Sequence, residues 1–217
     1  MGGDAGAIHE SVSSYYAARL RQHGATPAGV DWSSAESQQL RFEQLLRLLD
    51  GTGRPTLLDY GCGYGALAQQ LCATDADFSY TGFDLAESMI SMARSQIEDV
   101  RCSFTSDRNA LTDYDYTLAS GIFNVRLQTD EKSWHEYVAS TLEAIASHSR
   151  RGFAFNMLTR YSDPHLMRDD LYYADPGRYF RLCKERYSRE VALLHDYELF
   201  EFTILVRLGS PPKSMAE

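Results

Sequence analysis

Between Leu57 and Gly65 the chain reads Leu-Leu-Asp-Tyr-Gly-Cys-Gly-Tyr-Gly, and this segment constrains the fold more than any other. A short apolar run that gives way to three alternating glycines predicts a buried strand turning sharply into a helix. Glycine at such a turn lets the backbone come close to a ligand. By itself the turn signals only a nucleotide-like ligand.

The surrounding pattern alternates. Strands are expected at Thr56–Tyr60, Phe78–Phe83, Cys102–Thr105, Tyr116–Ser120 and Phe153–Met157, with helices at Gly65–Cys72, Ala86–Ile97 and Glu131–Ala146 between them. Such alternation predicts an α/β fold with a mostly parallel sheet covered on both faces. Before it, two helices are expected at about Ile8–Gly24 and Ala35–Leu49, the second capped by Ser33 or Ser34. After it, Pro176–Arg186 reads as a helix. Val191–Tyr197 and Phe200–Leu208 read as strands whose short connection requires antiparallel pairing. The expected organisation is therefore an N-terminal helical cap over 1–50 and a core over 51–209. That core carries an insertion at about 160–186, and a disordered tail follows over 210–217.

The neighbours of the glycine turn narrow its ligand. Its spacing is G-x-G-x-G, whereas dinucleotide sites carry G-x-G-x-x-G. Asp59 stands directly before it and would repel a pyrophosphate, which argues against a dehydrogenase. The same carboxylate suits a ligand bearing an ammonium and a sulfonium. Asp84 follows the second strand, where an acid can accept bonds from both ribose hydroxyls. Asp107 follows the third, where a carboxylate can accept from an adenine amino group. A single Asp there is commonly a turn residue, but three at successive strand ends form a pattern that points to S-adenosylmethionine.

On these residues the chain resembles the class I, Rossmann-like S-adenosylmethionine-dependent methyltransferases, over roughly Thr56 to Leu208. The resemblance implies a seven-stranded sheet in the order 3-2-1-4-5-7-6 with the last strand antiparallel. It implies a cofactor site of Asp59, Gly61, Cys62, Gly63, Asp84, Leu85, Met89, Asp107, Arg108 and Ser120. Leu85 and Met89 would pack near the adenine, Arg108 would offer it a backbone amide, and Ser120 would lie by the methionine portion. The N-terminal helix pair resembles the cap of members that act on small molecules.

Transfer of an activated methyl group needs in-line placement of the acceptor more than covalent assistance. Asn124 and Asn156, after the fourth strand and near the end of the fifth, are candidates to orient an acceptor. Tyr16, Trp32 and Tyr172 are candidates to line its cleft, because the cap and the tyrosine-rich insertion are both expected to overhang it. Candidate catalytic groups are Asn124, His135 and His165, with His195 expected inside a strand. Arg41 is read as facing solvent, with a cofactor or substrate carboxylate as its other possible partner.

Composition excludes several classes. The net charge is −9 over 217 residues, and no basic run exceeds the Arg150-Arg151 pair, so a nucleic-acid partner is not expected. Cys62, Cys72, Cys102 and Cys183 show neither disulfide-framework nor zinc-ligand spacing, so free thiols and no metal are expected. The first residues lack the features of a signal peptide, and no apolar run is long enough for a membrane span. The expectation is a cytoplasmic enzyme, monomer or homodimer, methylating oxygen or nitrogen of a small molecule. The alternatives are a catalytically silent adenosylmethionine-binding partner and a protein methyltransferase.

Overall fold

The computed structural model describes residues 3–30, 34–51 and 53–209. Trp32 and the tail over 210–217 lie outside the described residues. Seven strands, β1 (Thr56–Tyr60), β2 (Ser79–Phe83), β3 (Cys102–Thr105), β4 (Tyr114–Ala119), β5 (Ser149–Leu158), β6 (Glu190–Leu194) and β7 (Glu201–Arg207), form one sheet. Its order is β3-β2-β1-β4-β5-β7-β6. Strands β1 to β5 pair parallel, and β7 runs antiparallel to both β5 and β6. This is the expected architecture.

Strand residues alternate between two cores, as the period of two requires. Leu58, Phe153, Phe155, Phe202 and Ile204 face one side, under helices α5 (Glu131–Ser147) and α6 (Pro176–Arg186). Leu57, Leu118, Ala154 and Leu205 face the other, with α2 (Ala35–Leu46), α3 (Ala66–Cys72) and α4 (Glu87–Gln96). Helix α1 (Gly3–His23) touches α4 and α5. Gly24, at φ 66°, ends it, and the Gly24 amide donates to the Leu20 carbonyl at 2.8 Å. That left-handed terminus is one that glycine adopts without strain.

Several boundaries differ from expectation for local reasons. Helix α1 starts at Gly3 rather than Ile8, since Ala5 and Ala7 favour helix and no proline intervenes. Helix α2 is capped by Ser34, whose hydroxyl accepts from the Ser37 amide at 3.1 Å. It stops at Leu46, where Leu48 and Leu49 close tight turns onto Leu45 and Leu46. Strand β6 ends at Leu194, so His195 sits in the connection, its ring against Tyr161 and Phe202.

The largest correction concerns Arg41. It is buried in α2, and its guanidinium donates to Glu201 Oε1 of β7 at 2.8 and 2.7 Å. Glu201 Oε2 accepts from Asn156 Nδ2 of β5 at 2.7 Å. Breaking a buried, hydrogen-bonded ion pair leaves an unpaired charge in a low-dielectric interior and costs about 3–5 kcal/mol. Glu201→Ala is therefore expected to lower unfolding stability by about that amount in urea titrations. Glu201→Gln, which can still accept from Asn156, should lose less.

Candidate active site

The glycine turn is tied to the second strand. The amides of Gly61 and Cys62 both donate to the Phe83 carbonyl, at 2.7 and 2.9 Å. The Gly63 amide donates to Asp84 Oδ2 at 3.0 Å, and the Ala86 amide to Asp84 Oδ1 at 2.9 Å. Gly61 has φ 87°, and a Cβ there would stand 2.3 Å from Ile122 Cγ2. Only glycine allows the loop after β1 to meet the loop after β4 this closely.

A cavity opens beside this turn, with a volume of about 930 Å³ when its mouth is included. Eight of the expected cofactor residues line it: Asp59, Gly61, Cys62, Gly63, Asp84, Leu85, Met89 and Ser120. Tyr16 lines it too. Asp107 and Arg108 do not. The Asp107 carboxylate accepts from the Asn109 amide at 2.9 Å, capping a 3-10 turn, while the charge of Arg108 acts on His9, Tyr60 and Tyr137 of the cavity wall.

Asp59 is 3 % exposed and its Oδ2 accepts from the Tyr80 hydroxyl at 2.6 Å. Burial pushes its carboxyl up to about 7; the Tyr80 bond pulls the other way and the charge of Asp84 adds to the rise. Asp84 is raised as well, chiefly by burial, with its two amide donors opposing. Burial, together with Asp59 and Asp84, lifts the Cys62 thiol, so it is no nucleophile at neutral pH.

The roof comes from the N-terminal helices. Helix α1 contributes His9, Val12, Ser13 and Tyr16, and α2 contributes Gln38 and Phe42. Gln38 Oε1 accepts from the Tyr64 hydroxyl at 3.1 Å, which fastens α2 to the glycine turn. His9 meets Tyr137 edge-on, with ring centroids 5.1 Å apart. Its imidazole is held below the usual value by burial, then by Arg108, so it is neutral at pH 7. Sequence reasoning missed His9, Gln38, Phe42, Tyr60 and Tyr137, since no motif marks them.

The other described candidates lie outside the cavity, and Asn156, Asn124, His135 and Tyr172 have structural partners. Asn156 is fully buried; its Oδ1 accepts from the Gly121 amide at 2.7 Å while its Nδ2 binds Glu201. It holds the loop after β4 rather than lining the cleft. Asn124 Oδ1 accepts from the Leu158 amide at 3.2 Å. His135 Nε2 and the Tyr172 hydroxyl are 2.7 Å apart, and that hydroxyl lies 3.2 Å from Tyr179. His165 is exposed in a 3-10 turn. No residue of the tyrosine-rich insertion lines the cavity. Tyr172 and Tyr179 pack inward because their rings complete the core beside Trp134 of α5.

A family model described as a methyltransferase domain matches residues 57–151. Rv1506c of Mycobacterium tuberculosis (strain ATCC 25618 / H37Rv), which carries the provisional name of a methyltransferase, is 48% identical over 170 residues. That match spans 76% of this chain and 100% of the relative. The chain belongs to the class I S-adenosylmethionine-dependent methyltransferases. Solved structures agree on the methyltransferase fold. Magnesium protoporphyrin IX methyltransferase from Synechocystis PCC 6803, with S-adenosylhomocysteine bound, superposes at a TM-score of 0.64 and 14% identity. The superposition covers 94% of this chain and 99% of that one. Human N-acetylserotonin methyltransferase reaches 0.66 at 16% identity, over 94% of this methyltransferase and 59% of its own chain. A small RNA methyltransferase gives 0.59 at 14%, over 83% and 26%. The enzyme uses S-adenosylmethionine, as its family does.

The raised carboxyl of Asp59 has a measurable consequence in the cofactor-free methyltransferase. Its folded value of about 7 lies above the unfolded value of about 3.9. The stability it contributes is therefore full below pH 4 and is lost as pH rises towards 7. Between pH 5 and pH 8 the wild type should lose about 2 kcal/mol relative to Asp59→Asn. Urea titrations of both proteins across that range check this.

Proposed function

We propose that the enzyme transfers the methyl group of S-adenosylmethionine to an oxygen or nitrogen of a small-molecule acceptor, in a cleft roofed by its own N-terminal helices. The observation that carries this reading is that α1 and α2 line the same cavity as Asp59 and Asp84. A roof four residues deep from α1 alone narrows the opening that a macromolecular acceptor would need. The relatives' acceptors, among them a porphyrin and N-acetylserotonin by name, include molecules of the size such a cleft admits. The dispersed cations and net charge of −9 speak against a polyanionic acceptor.

The lining suits the cofactor. The Ser120 hydroxyl is buried without a hydrogen-bond partner among the described residues, although it lines the cavity. Asp59 is buried and no cationic side chain among the described residues pairs with it. An amino-acid tail supplies what both lack, an ammonium for the carboxylate and polar atoms for the hydroxyl. Asp84, its oxygens already fixed by two backbone amides, keeps lone pairs for the ribose hydroxyls. Leu85 and Met89 offer an apolar wall to the adenine.

The sulfonium methyl, when the cofactor is bound, supplies the activated carbon. The protein's part is placement. Gly61 and Ile122 bring the loops after β1 and β4 into contact, and Asn156 fixes the second through the Gly121 amide. Val12, Tyr60, Phe83 and Tyr137 supply apolar surface around the remaining space. His9, neutral at pH 7, is the imidazole on the cavity wall.

Asp84→Ala should weaken S-adenosylhomocysteine binding by about 1–3 kcal/mol through loss of ribose hydrogen bonds. Unchanged affinity in a calorimetric titration would place the ribose elsewhere. The acceptor class is tested by incubating the enzyme with methyl-labelled S-adenosylmethionine and a metabolite extract, bulk RNA or a protein extract. Label is expected in a low-molecular-weight product identified by mass spectrometry. Label only in RNA or protein would overturn the reading.

A further inference from the structure

The fold brings together two cysteines that the sequence keeps apart. Cys72 ends α3 and Cys102 begins β3, and their sulfurs stand 3.5 Å apart. Both are partly exposed, whereas Cys62 and Cys183 are buried. Neither Cys72 nor Cys102 lines the cavity, and β3 enters the sheet at the end opposite the glycine turn.

Their proximity is enforced by a polar clamp. Arg101, next to Cys102, donates to the Cys72 carbonyl at 3.3 Å and to the Ala76 carbonyl at 2.8 Å. The same guanidinium binds both carboxylate oxygens of Asp99, at 2.7 to 3.1 Å. The end of α3 is thus locked against the start of β3. Asp99 also stands within 4.8 Å of both sulfurs. Arg101 engages both its oxygens and balances its charge, and the two sulfurs stand close enough that a disulfide requires little movement of the chain.

We propose that Cys72 and Cys102 form a reversible intramolecular disulfide by exchange with a low-molecular-weight disulfide. The Cys72 thiolate attacks one sulfur of the small disulfide, forming a mixed disulfide and releasing one small thiol. The Cys102 thiolate then attacks the Cys72 sulfur and releases the second. Two protein thiols are oxidised to one disulfide, and the small disulfide is reduced to two thiols that carry off the two protons. Burial raises both thiols, Cys102 to about 12, so exchange is slow at neutral pH. With little stabilisation of the thiolate form, the disulfide persists once made. The cross-link closes a loop that contains β2, Asp84 and α4, and constrains the unfolded chain.

The test treats the whole protein with oxidised glutathione at mildly alkaline pH, then blocks free thiols by alkylation and maps the peptides. The expected product has two of its thiols blocked from alkylation and joins the Cys72 and Cys102 peptides, lighter by two hydrogens and restored by dithiothreitol. Its unfolding midpoint should rise on oxidation, while Cys102→Ser shows no redox-dependent rise. Glutathione adducts on both cysteines without a cross-link would overturn the proposal. So would alkylation of both thiols after prolonged exposure, or an equal midpoint shift in the variant.

Discussion

A carboxylate buried at the end of β1 is the constraint around which the candidate site is arranged. Asp59 is taken out of water with one hydroxyl donor, Tyr80, and no cation beside it among the described residues. Burying an ionised group in that state is unfavourable, and proteins relieve it by protonation or by a partner. Leu57 and Leu58 fix Asp59 in the sheet's two-sided core, so it cannot withdraw. The glycine turn directly after it keeps side chains away and leaves a cavity instead. The site is therefore deficient in positive charge, which is why a cationic ligand suits it and a pyrophosphate does not.

The cap is coupled to that cavity by polar contacts as well as by packing. From α2, Arg41 reaches Glu201 on β7, Glu201 takes a bond from Asn156 on β5, and Asn156 takes one from the Gly121 amide. The chain of bonds runs from the roof, through the sheet, to the loop that presses Ile122 onto Gly61. Every side chain in it is buried, so each member depends on the next for satisfaction of its polar atoms. Docking of α2 and the shape of the cleft are thus linked through one network. Gln38 and Tyr64 make a second, shorter link on the cavity wall.

What could be read from the sequence was what depends on near neighbours. The strand, Asp59 and the glycine turn lie within ten residues and Asp84 follows at the next strand end, so spacing located these, while Leu85, Met89 and Ser120 came from the family resemblance. The parallel sheet followed from alternation and the antiparallel pair from the short β6–β7 connection, while the strand order came from the family resemblance. Arg41 was misread because its partner lies 160 positions away, and a charged residue on an exposed-looking helix carries no local sign of burial. Asn156 was expected in the cleft because it lies near the end of strand five, and Tyr172 because it lies in the insertion that follows. Their side chains turn inward to satisfy Gly121 and His135. His9 escaped notice because its role depends on how α1 crosses the sheet, which no spacing encodes.

The proposed binding of S-adenosylmethionine in the cavity at Asp59 and Asp84 rests on a carboxylate that lacks a cationic partner among the described residues. Calorimetric titration with S-adenosylhomocysteine, in two buffers of different ionisation heat, tests it most directly. The titration is run just below the carboxyl's value of about 7. One site per chain is expected, with protons released as Asp59 ionises against the ligand's ammonium, and with that release lost in Asp59→Asn. Binding of NAD in place of the adenosyl ligand, or the same proton release in the variant, would contradict it.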